Sequence, residues 1–207
     1  MAKNSTTFVG KIEYNEYPPP PFLLKAMERR FALPLISNGA IRIQSISYFH
    51  TLENRNLGDP NEGKGLFTFN GRPMQTSYGN EVFVWCTALP DTSNERLLAF
   101  SEKYDTIIKI ESVEIFLERL LRAIIKRKLP TPIHCGRVVY NRGIEVTKDV
   151  LNNQKWAFNI FQKDTYYQHQ NEYRFSLTNV VFKKPIGDYI DLQMGNCSDI
   201  ISITNES

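Results

Sequence analysis

Cysteine and histidine are scarce in this sequence, and their scarcity limits the disulfide and metal chemistry that the chain can support. Of its 207 residues, three are cysteines and three are histidines. Cys86, Cys135 and Cys197 are odd in number, widely spaced and without any C-x-x-C pair. A disulfide framework uses an even set, and a structural zinc site uses closely spaced ligand pairs. We therefore expect reduced thiols, as in the cytoplasm, and no zinc site.

Long apolar runs are also missing from the sequence. No uninterrupted apolar stretch approaches the roughly 20 residues that cross a bilayer. The first seven residues lack the apolar segment of a secretory leader. These two observations predict a soluble, cytoplasmic protein with no membrane partner.

Several common enzyme motifs are missing as well. No serine or cysteine lies in a G-x-S-x-G context, and the three histidines are scattered, so a hydrolase triad has no support. The chain contains neither a Walker loop nor a G-x-G-x-x-G segment. Phosphoryl transfer by a P-loop and a Rossmann dinucleotide site are therefore not indicated.

The excess of positive charge is small, with 25 basic and 22 acidic residues and a net charge of +3. Such a balance neither requires nor excludes a nucleic-acid partner, so local clusters decide. One basic cluster closes a strongly amphipathic helix that is predicted to begin after Ser112. It is a candidate nucleic-acid patch, although cations at the carbonyl end of a helix also complement its dipole. The members of this cluster are Arg119, Arg122, Lys126, Arg127 and Lys128.

Aromatic residues are abundant, with 13 Phe, 10 Tyr and 2 Trp, and they favour a β-rich core. The length suits one well-buried core. We predict a single α+β domain over residues 1–207, with mixed, mainly antiparallel sheets of seven to nine strands and two to three packed helices. Residues 1–21 are predicted to form an extended arm, in which the four prolines 18–21 make a stiff spacer.

Hydrophobic periodicity, capping residues and turn residues predict the individual elements. The predicted helices are 22–31, ended by Pro34, a short helix from Ser93 through 100, the helix after Ser112, and 145–161. The predicted strands are 40–46, 81–88, 104–110, 136–140, 172–177, 179–182, 189–192 and 200–203. Residues 65–78 read as a hairpin that turns at Asn70-Gly71, followed by a second turn at Gly79-Asn80.

The stretch from Gln170 to Leu177 carries the densest row of polar chemistry. As a strand, it directs alternate side chains to opposite faces. A carboxylate, a guanidinium and an amide on one face can converge on a ligand, and a strand holds them rigidly. The alternative is a half-buried strand with a solvated charged face. The apolar face holds Tyr173, Phe175 and Leu177, and the other face holds Gln170, Glu172, Arg174 and Ser176.

Residues 48–65 form a polar, glycine-punctuated loop of the kind that often carries function. Within it, Asp59, Glu62 and Lys64 supply two carboxylates and a lysine that are able to hold magnesium and position a water. This set indicates a metal-dependent nuclease as one alternative, although its spacing differs from the usual nuclease core.

The order of short motifs resembles a widespread bacterial family of unknown function whose members accompany phage-defence and toxin systems. The similarity spans roughly positions 35 to 180. The motifs that carry it are Gly39, Ile41-Arg42, Tyr48-Phe49, Asp59-Pro60-Asn61-Glu62-Gly63, Cys86-Thr87, Val138-Val139-Tyr140, Lys163 and Glu172-Tyr173-Arg174.

The same layout is similar to the ADP-ribosyltransferase fold, which implies NAD as co-substrate. The resemblance implies that Arg42 contacts the phosphate or ribose side of NAD and that Thr87 supports the catalytic glutamate. It implies that Glu172 binds the nicotinamide-ribose hydroxyl. Gln170 looks like the glutamine of transferases that modify a nucleobase. Further implied contacts are Tyr48 and Arg174 to NAD, and Asp59, Glu62 and Tyr167 to the substrate.

Three functional hypotheses follow from these observations. The first is an ADP-ribosyltransferase toxin or phage-defence effector that modifies a nucleic acid or a protein and is paired with an antitoxin or a defence-system protein. The second is a non-catalytic module that binds a ligand or partner, in which the polar loop at 48–65 and the Glu172-Tyr173-Arg174 strand form a recognition surface. The third is the metal-dependent nuclease.

Overall fold

Two β-sheets and four α-helices make up the part of the chain that the computed structural model describes, which is residues 11–52, 58–77, 82–129, 132–140, 144–145, 160–178 and 187–204. They form a single mixed α+β domain around a curled, mainly antiparallel sheet, which confirms the coarse fold prediction. The predicted seven to nine strands and two to three helices are too few, because the described residues already hold twelve strands and four α-helices. The strands are β1 (Ile12–Tyr14), β2 (Leu23–Met27), β3 (Ala40–Ser45), β4 (Lys64–Phe69), β5 (Arg72–Ser77), β6 (Val82–Ala88), β7 (Thr106–Ile110), β8 (Ile133–Arg137), β9 (Ile144–Glu145), β10 (Glu172–Thr178), β11 (Tyr189–Gln193) and β12 (Ile201–Ile203). The helices are α1 (Arg29–Asn38), α2 (Ile46–His50), α3 (Asn94–Leu98) and α4 (Val113–Lys126), with a 3-10 helix at Thr165–Gln170.

The large sheet has nine strands, and β6 and β10 lie at its centre. Its main path runs β1-β8-β10-β6-β2-β7-β12, and β3, itself paired with β11, joins through β6. The smaller sheet has the order β5-β4-β9. In the large sheet β1 and β8 are parallel, while the other recorded strand pairs are antiparallel.

The large sheet forks at one edge of β6. Along its other edge β6 pairs with β10 over its whole length. Along the forked edge, Phe83 and Val84 pair with β3, and Ala88 pairs with β2. Between them, residues 85–87 have no strand neighbour on that edge within the described ranges. The strands β2 and β3, joined by α1, therefore separate and leave an opening beside the middle of β6.

The amphipathic helix α4 covers one face of the sheet. Ser112 caps it, because its hydroxyl accepts a hydrogen bond from the Ile115 backbone N–H at 3.4 Å. The ring of Phe116 packs against Trp85 and Phe175, with ring centroids 5.3 and 5.5 Å apart. Each such fully buried apolar side chain contributes about 1.5–3 kcal/mol, so this contact fixes both central strands. The predicted helix after Ser112 is confirmed.

The predicted helix at 22–31 is wrong. Leu23–Met27 is the strand β2, which pairs with β7 over all five residues and touches β6 at Leu24. A short apolar run fits a buried strand as well as a helix, and here the pairing partners decide. Pro34 does not end a helix either, because α1 runs through it to Asn38. The helix stops at Gly39, whose φ of 68° is left-handed.

Most of the other predicted elements are present, some with shifted ends. The hairpin turning at Asn70-Gly71 is confirmed as β4 and β5, and both turn residues have positive φ, 49° and 70°. The strands predicted at 40–46, 81–88, 104–110, 172–177, 189–192 and 200–203 are confirmed with small shifts of their ends, as is the short helix capped by Ser93. The strand predicted at 136–140 instead ends at Arg137, as β8. The predicted turn at Gly79-Asn80, the strand at 179–182 and nearly all of the helix at 145–161 lie outside the described residues.

None of the helices in the described ranges has the length and apolarity that a bilayer-spanning segment needs.

We expect Gly39→Ala to destabilise the fold by more than about 2 kcal/mol, because a side chain in the left-handed region costs about 1–2 kcal/mol and overlap adds to it. A Cβ at Gly39 would stand 2.8 Å from the Gly195 nitrogen. Gly71 has a similar φ of 70° with nothing within 4 Å of an added Cβ, so Gly71→Ala isolates the conformational cost. Urea unfolding measures both variants, and equal losses would contradict the close approach.

Candidate functional site

The central strand β10 is buried on both faces. Tyr173, Phe175 and Leu177 face the core under α4, as predicted. The opposite face is not solvated, because Glu172, Arg174 and Ser176 are 4%, 0% and 0% exposed. The prediction of a half-buried strand with a charged face in water is therefore wrong. Gln170 precedes the strand, at the end of the 3-10 helix.

Arg174 joins two carboxylates inside the protein. Its Nε donates to Glu172 Oε1 at 2.6 Å, and its Nη1 donates to Glu62 Oε1 at 2.6 Å. Nη1 also donates to the backbone carbonyl oxygen of Ile160. Its second amino group, Nη2, has no hydrogen-bond partner among the described residues. A fully buried guanidinium thus holds residues from three separate parts of the chain.

Lys163 completes this arrangement from the other side. Its Nζ donates to Glu172 Oε2 at 2.7 Å and to Gln170 Oε1 at 2.6 Å, and it lies 3.4 Å from Glu62 Oε2. Each carboxylate oxygen of Glu172 therefore accepts a hydrogen bond from a different cation. We call Glu62, Lys163, Gln170, Glu172 and Arg174 the ionic cluster.

The ionic cluster keeps its members charged although it is buried. Burial alone would raise the pKa of the Glu172 carboxyl, but Arg174 and Lys163 outweigh it and hold this pKa well below its ordinary value. Burial likewise opposes charge on Lys163, yet Glu172 and Glu62 raise its pKa above the usual range. Two carboxylates thus balance two cations, which satisfies the requirement that buried charges be paired.

A compact turn directs Glu62 into the cluster. The Asn61 backbone N–H donates to Asp59 Oδ1 at 2.8 Å, and the Glu62 N–H donates to the Asp59 carbonyl oxygen at 2.9 Å. His50 Nε2 lies 2.6 Å from the Glu62 carbonyl oxygen. These contacts place Asp59 and Glu62, each 1% exposed, beneath the surface.

A cavity of about 1300 Å³ lies at the fork between β2 and β3. Glu172, Gln170 and Lys163 of the ionic cluster line it, together with Thr87. The predicted NAD contacts Arg42 and Tyr48, both exposed, also line it. The chain therefore brings five predicted site residues to one cavity: Arg42, Tyr48, Thr87, Gln170 and Glu172.

Four other predicted site residues are not part of the cavity lining. Arg174 lies behind Glu172, and Glu62 lies beyond Arg174. Tyr167 is buried and donates from its hydroxyl to the Gly58 carbonyl oxygen at 3.3 Å. With Asp59 in its turn, these residues support the site from inside the protein.

Strand register determines which residues share a face with Glu172. Arg174 pairs with Cys86, and Tyr173 pairs with Thr87. Because adjacent positions on a strand point to opposite faces, Cys86 shares the face of the carboxylate and Thr87 does not. The Thr87 hydroxyl donates to the Tyr173 carbonyl oxygen at 2.7 Å instead. Thr87 thus reaches the neighbour of Glu172 rather than its carboxylate.

Cys86 and Arg42 complete that face. Burial, reinforced by Glu172, raises the pKa of the Cys86 thiol to about 12, so it is a neutral thiol. Arg42 forms a two-point ion pair with Asp191, at 2.7 and 2.8 Å, and its guanidinium carbon lies 3.8 Å from the ring centroid of Tyr189. Its guanidinium is held in one orientation at the cavity.

Lys25 is a cavity residue that the sequence did not reveal. It lies on β2, and its Nζ crosses the fork to donate to the Cys86 carbonyl oxygen at 2.7 Å. The ammonium also lies 5.0 Å from the ring centroid of Trp85. Burial lowers the pKa of Lys25 below its ordinary value, opposed by Cys86 and Glu172. A lysine within an apolar run was the available signal, but the wrong helix assignment hid it.

The set proposed for a magnesium nuclease is separated in the structure. The Glu62 oxygens face Arg174 and Lys163, while Lys64 Nζ donates to Asn61 Oδ1 at 3.1 Å. Within the described ranges there is no group of three His, Cys, Asp or Glu residues positioned to hold a metal ion. These residues do not fit a magnesium site.

Comparisons with protein-family models, with curated proteins and with solved structures found no match to this chain. The resemblance to ADP-ribosyltransferases stays a prediction.

We expect Arg174→Met to destabilise the protein by about 3–5 kcal/mol, because it leaves two buried carboxylates with one cation. Arg42→Met is the matched control, since Arg42 also bonds a carboxylate through two nitrogens but is about half exposed. An exposed pair contributes less than about 1 kcal/mol. Urea unfolding at pH 7 compares the two, and similar losses would show that the cluster is not a buried network.

Proposed function

We propose that this chain is an NAD-consuming ADP-ribosyltransferase whose NAD site is the cavity at the fork. The observation that carries the proposal is that Glu172, Gln170 and Arg42, three residues from distant parts of the sequence, line this one cavity. The ordered carboxylate of Glu172 is the group that the reaction requires.

The charge of the cavity suits a dinucleotide. Its lining holds seven basic and three acidic side chains, a formal excess of +4, whereas the whole chain carries +3. The positive excess of the protein is thus concentrated at this cavity, where it favours a ligand with phosphate groups. Six aromatic residues line the cavity, and the exposed rings among them, Phe31 and Tyr48, offer surfaces for the nicotinamide and adenine rings.

The size of the cavity also suits such a ligand. Pockets for small molecules usually measure about 300–1,000 Å³. A volume of about 1300 Å³ accommodates a dinucleotide and leaves room for part of an acceptor.

In the proposed reaction the bond between the ribose C1′ and the nicotinamide nitrogen breaks, and its electron pair leaves with nicotinamide. Positive charge develops on C1′ and the ring oxygen. The Glu172 carboxylate stabilises this charge more than it stabilises bound NAD, which lowers the barrier. An acceptor atom then bonds to C1′ and releases its proton to solvent.

The ionic cluster gives Glu172 its fixed position. Arg174 and Lys163 hold one carboxylate oxygen each, at 2.6 and 2.7 Å, so the group needs no reorganisation when charge develops. A carboxylate offers about four acceptor sites, and Arg174, Lys163 and the Cys86 thiol use three of those on Glu172. A ribose hydroxyl is able to use the remaining one.

We assign Lys25 the role of binding the phosphate groups of NAD. One of its three N–H donors is used by the Cys86 carbonyl oxygen, and an ammonium has three to offer. Its position inside the fork places a positive charge on the opposite wall from Arg42. In the cell, this activity suits a cytoplasmic toxin or phage-defence effector that an antitoxin or defence-system protein controls.

One observation favours a second candidate, a module that binds a nucleotide without turnover. Both oxygens of Glu172 are engaged by cations, which lowers the negative charge available to a developing cation. Binding and turnover of NAD must therefore be measured separately.

We expect the protein to release nicotinamide from labelled NAD in the presence of bulk RNA, DNA or cell lysate and to transfer label to an acceptor. Glu172→Gln should lower the rate by about a hundredfold or more, as expected for removal of one electrostatic stabiliser. Glu118→Gln is the matched control. It also neutralises an ion-paired glutamate, but Glu118 lies on α4 and does not line the cavity.

Since Glu172 also belongs to the ionic cluster, its variant needs a thermal-melting check. Lys25→Met provides an independent arm outside the cluster, and we expect it to weaken NAD binding about tenfold, the effect of losing a charged hydrogen bond. Binding without nicotinamide release would select the binding module. Transfer that persists in Glu172→Gln would remove the transferase proposal.

A further inference from the structure

The exposed rim of the fork cavity is basic. Five exposed cations line it: Arg30, Arg42, Lys103, Lys126 and Arg127. Arg30 and Arg42 have acidic partners, Glu28 and Asp191, at 2.8 and 2.7 Å. The other three have no ion-pair partner among the described residues. A cluster of like charges at a cavity mouth attracts an anionic partner.

The structure divides the basic end of α4 into two groups. Arg119 is paired with Asp199 at 2.6 Å, and Arg122 with Glu118 at 3.3 Å. Lys126 and Arg127 lie at the rim of the cavity instead. Dipole complementarity explains their place on the helix, but it does not explain why they line the same cavity as Lys103 and Arg30, which come from other elements.

Two exposed aromatic rings line the same cavity as these cations. Phe31 is 53% exposed and Tyr48 is 38% exposed, and both line the cavity. The guanidinium carbon of Arg30 lies 4.7 Å from the Phe31 ring centroid. A large aromatic ring left in water beside cations offers a face for stacking, which an acidic protein partner does not need.

We propose that this rim binds single-stranded nucleic acid. Cations that follow a backbone and rings that stack on bases are the two elements of single-strand recognition, and a base must be unpaired to reach Phe31. The further role of this strand as the acceptor of ADP-ribose rests on the function proposed above. The binding itself does not depend on NAD.

The experiment is fluorescence anisotropy with a labelled single-stranded oligonucleotide of uniform pyrimidine sequence, without NAD. We expect Lys126→Gln with Arg127→Gln to weaken binding about tenfold and to reduce the salt dependence by roughly 1.4 in slope, since each lost phosphate contact removes about 0.7. The matched control is Arg122→Gln with Arg137→Gln, which makes the same change in net charge away from the cavity lining. It should change the affinity less than about threefold.

The rings are tested in the same assay. Phe31→Ala should weaken single-strand binding roughly tenfold, the effect of one lost base stack. Tyr166→Ala, which removes a 62% exposed ring that does not line the cavity, should leave binding unchanged. A duplex of the same length should bind more weakly than the single strand.

Four results would overturn the proposal: no binding by the native chain, equal losses in the rim variant and its control, equal affinity for duplex, or displacement by polyglutamate as effective as by the oligonucleotide. Because the assay contains no NAD, its failure leaves the nicotinamide-release result intact. Failure of nicotinamide release with successful binding would remove the transferase and keep the nucleic-acid surface.

Discussion

The buried contact of Arg174 with Glu62 and Glu172 is the interaction on which the site depends. A guanidinium with no exposed surface needs carboxylates to balance its charge, and the partners of its Nε and Nη1 come from different parts of the chain. The turn at Asp59, the central strand β10 and the segment at Ile160 are held together as a result. The position of Glu172 is therefore fixed because Glu172 is one of the carboxylates that pair with the buried Arg174 guanidinium.

The fork of the sheet is the second constraint. One edge of β6 pairs with β3 at one end and with β2 at the other end. The middle of this edge is therefore left open. Lys25 partly fills this gap by donating to the Cys86 carbonyl oxygen. The gap lies next to the ionic cluster, so a fixed carboxylate, the partly buried ammonium of Lys25 and a basic rim surround one cavity. That combination is the basis for assigning a nucleotide to it.

Local patterns in the sequence predicted much of the fold. Each of the correctly predicted elements has a local sequence signal: an apolar pattern in β6 and β10, a turn in the hairpin of β4 and β5, and a capping residue in α4. These signals do not depend on residues that are distant in the sequence. The strand β2 was missed because its identity comes from pairing with β7, about 80 residues away in the chain. Five apolar-rich residues do not distinguish a strand from a helix.

The candidate site was predictable in its residue types but not in its connections. The row from Gln170 to Arg174 was visible, whereas the contact of Arg174 with Glu62 spans 112 positions. The pairing of Cys86 with Arg174, which sets Thr87 on the other face, is a matter of register between β6 and β10. Neither the Arg174–Glu62 contact nor the β6–β10 register is encoded in a short stretch of sequence. The roles of Lys25 and Lys163 depend on such distant contacts too, so only the structure identifies them as site residues.

The most direct test of the transferase assignment is a crystal structure of the protein with a non-cleavable NAD analogue. We expect the analogue in the opening between β2 and β3, with its nicotinamide ribose within hydrogen-bond distance of Glu172 and its phosphates near Lys25. An analogue bound elsewhere, or one seated in the fork with its ribose away from Glu172, would contradict the assignment.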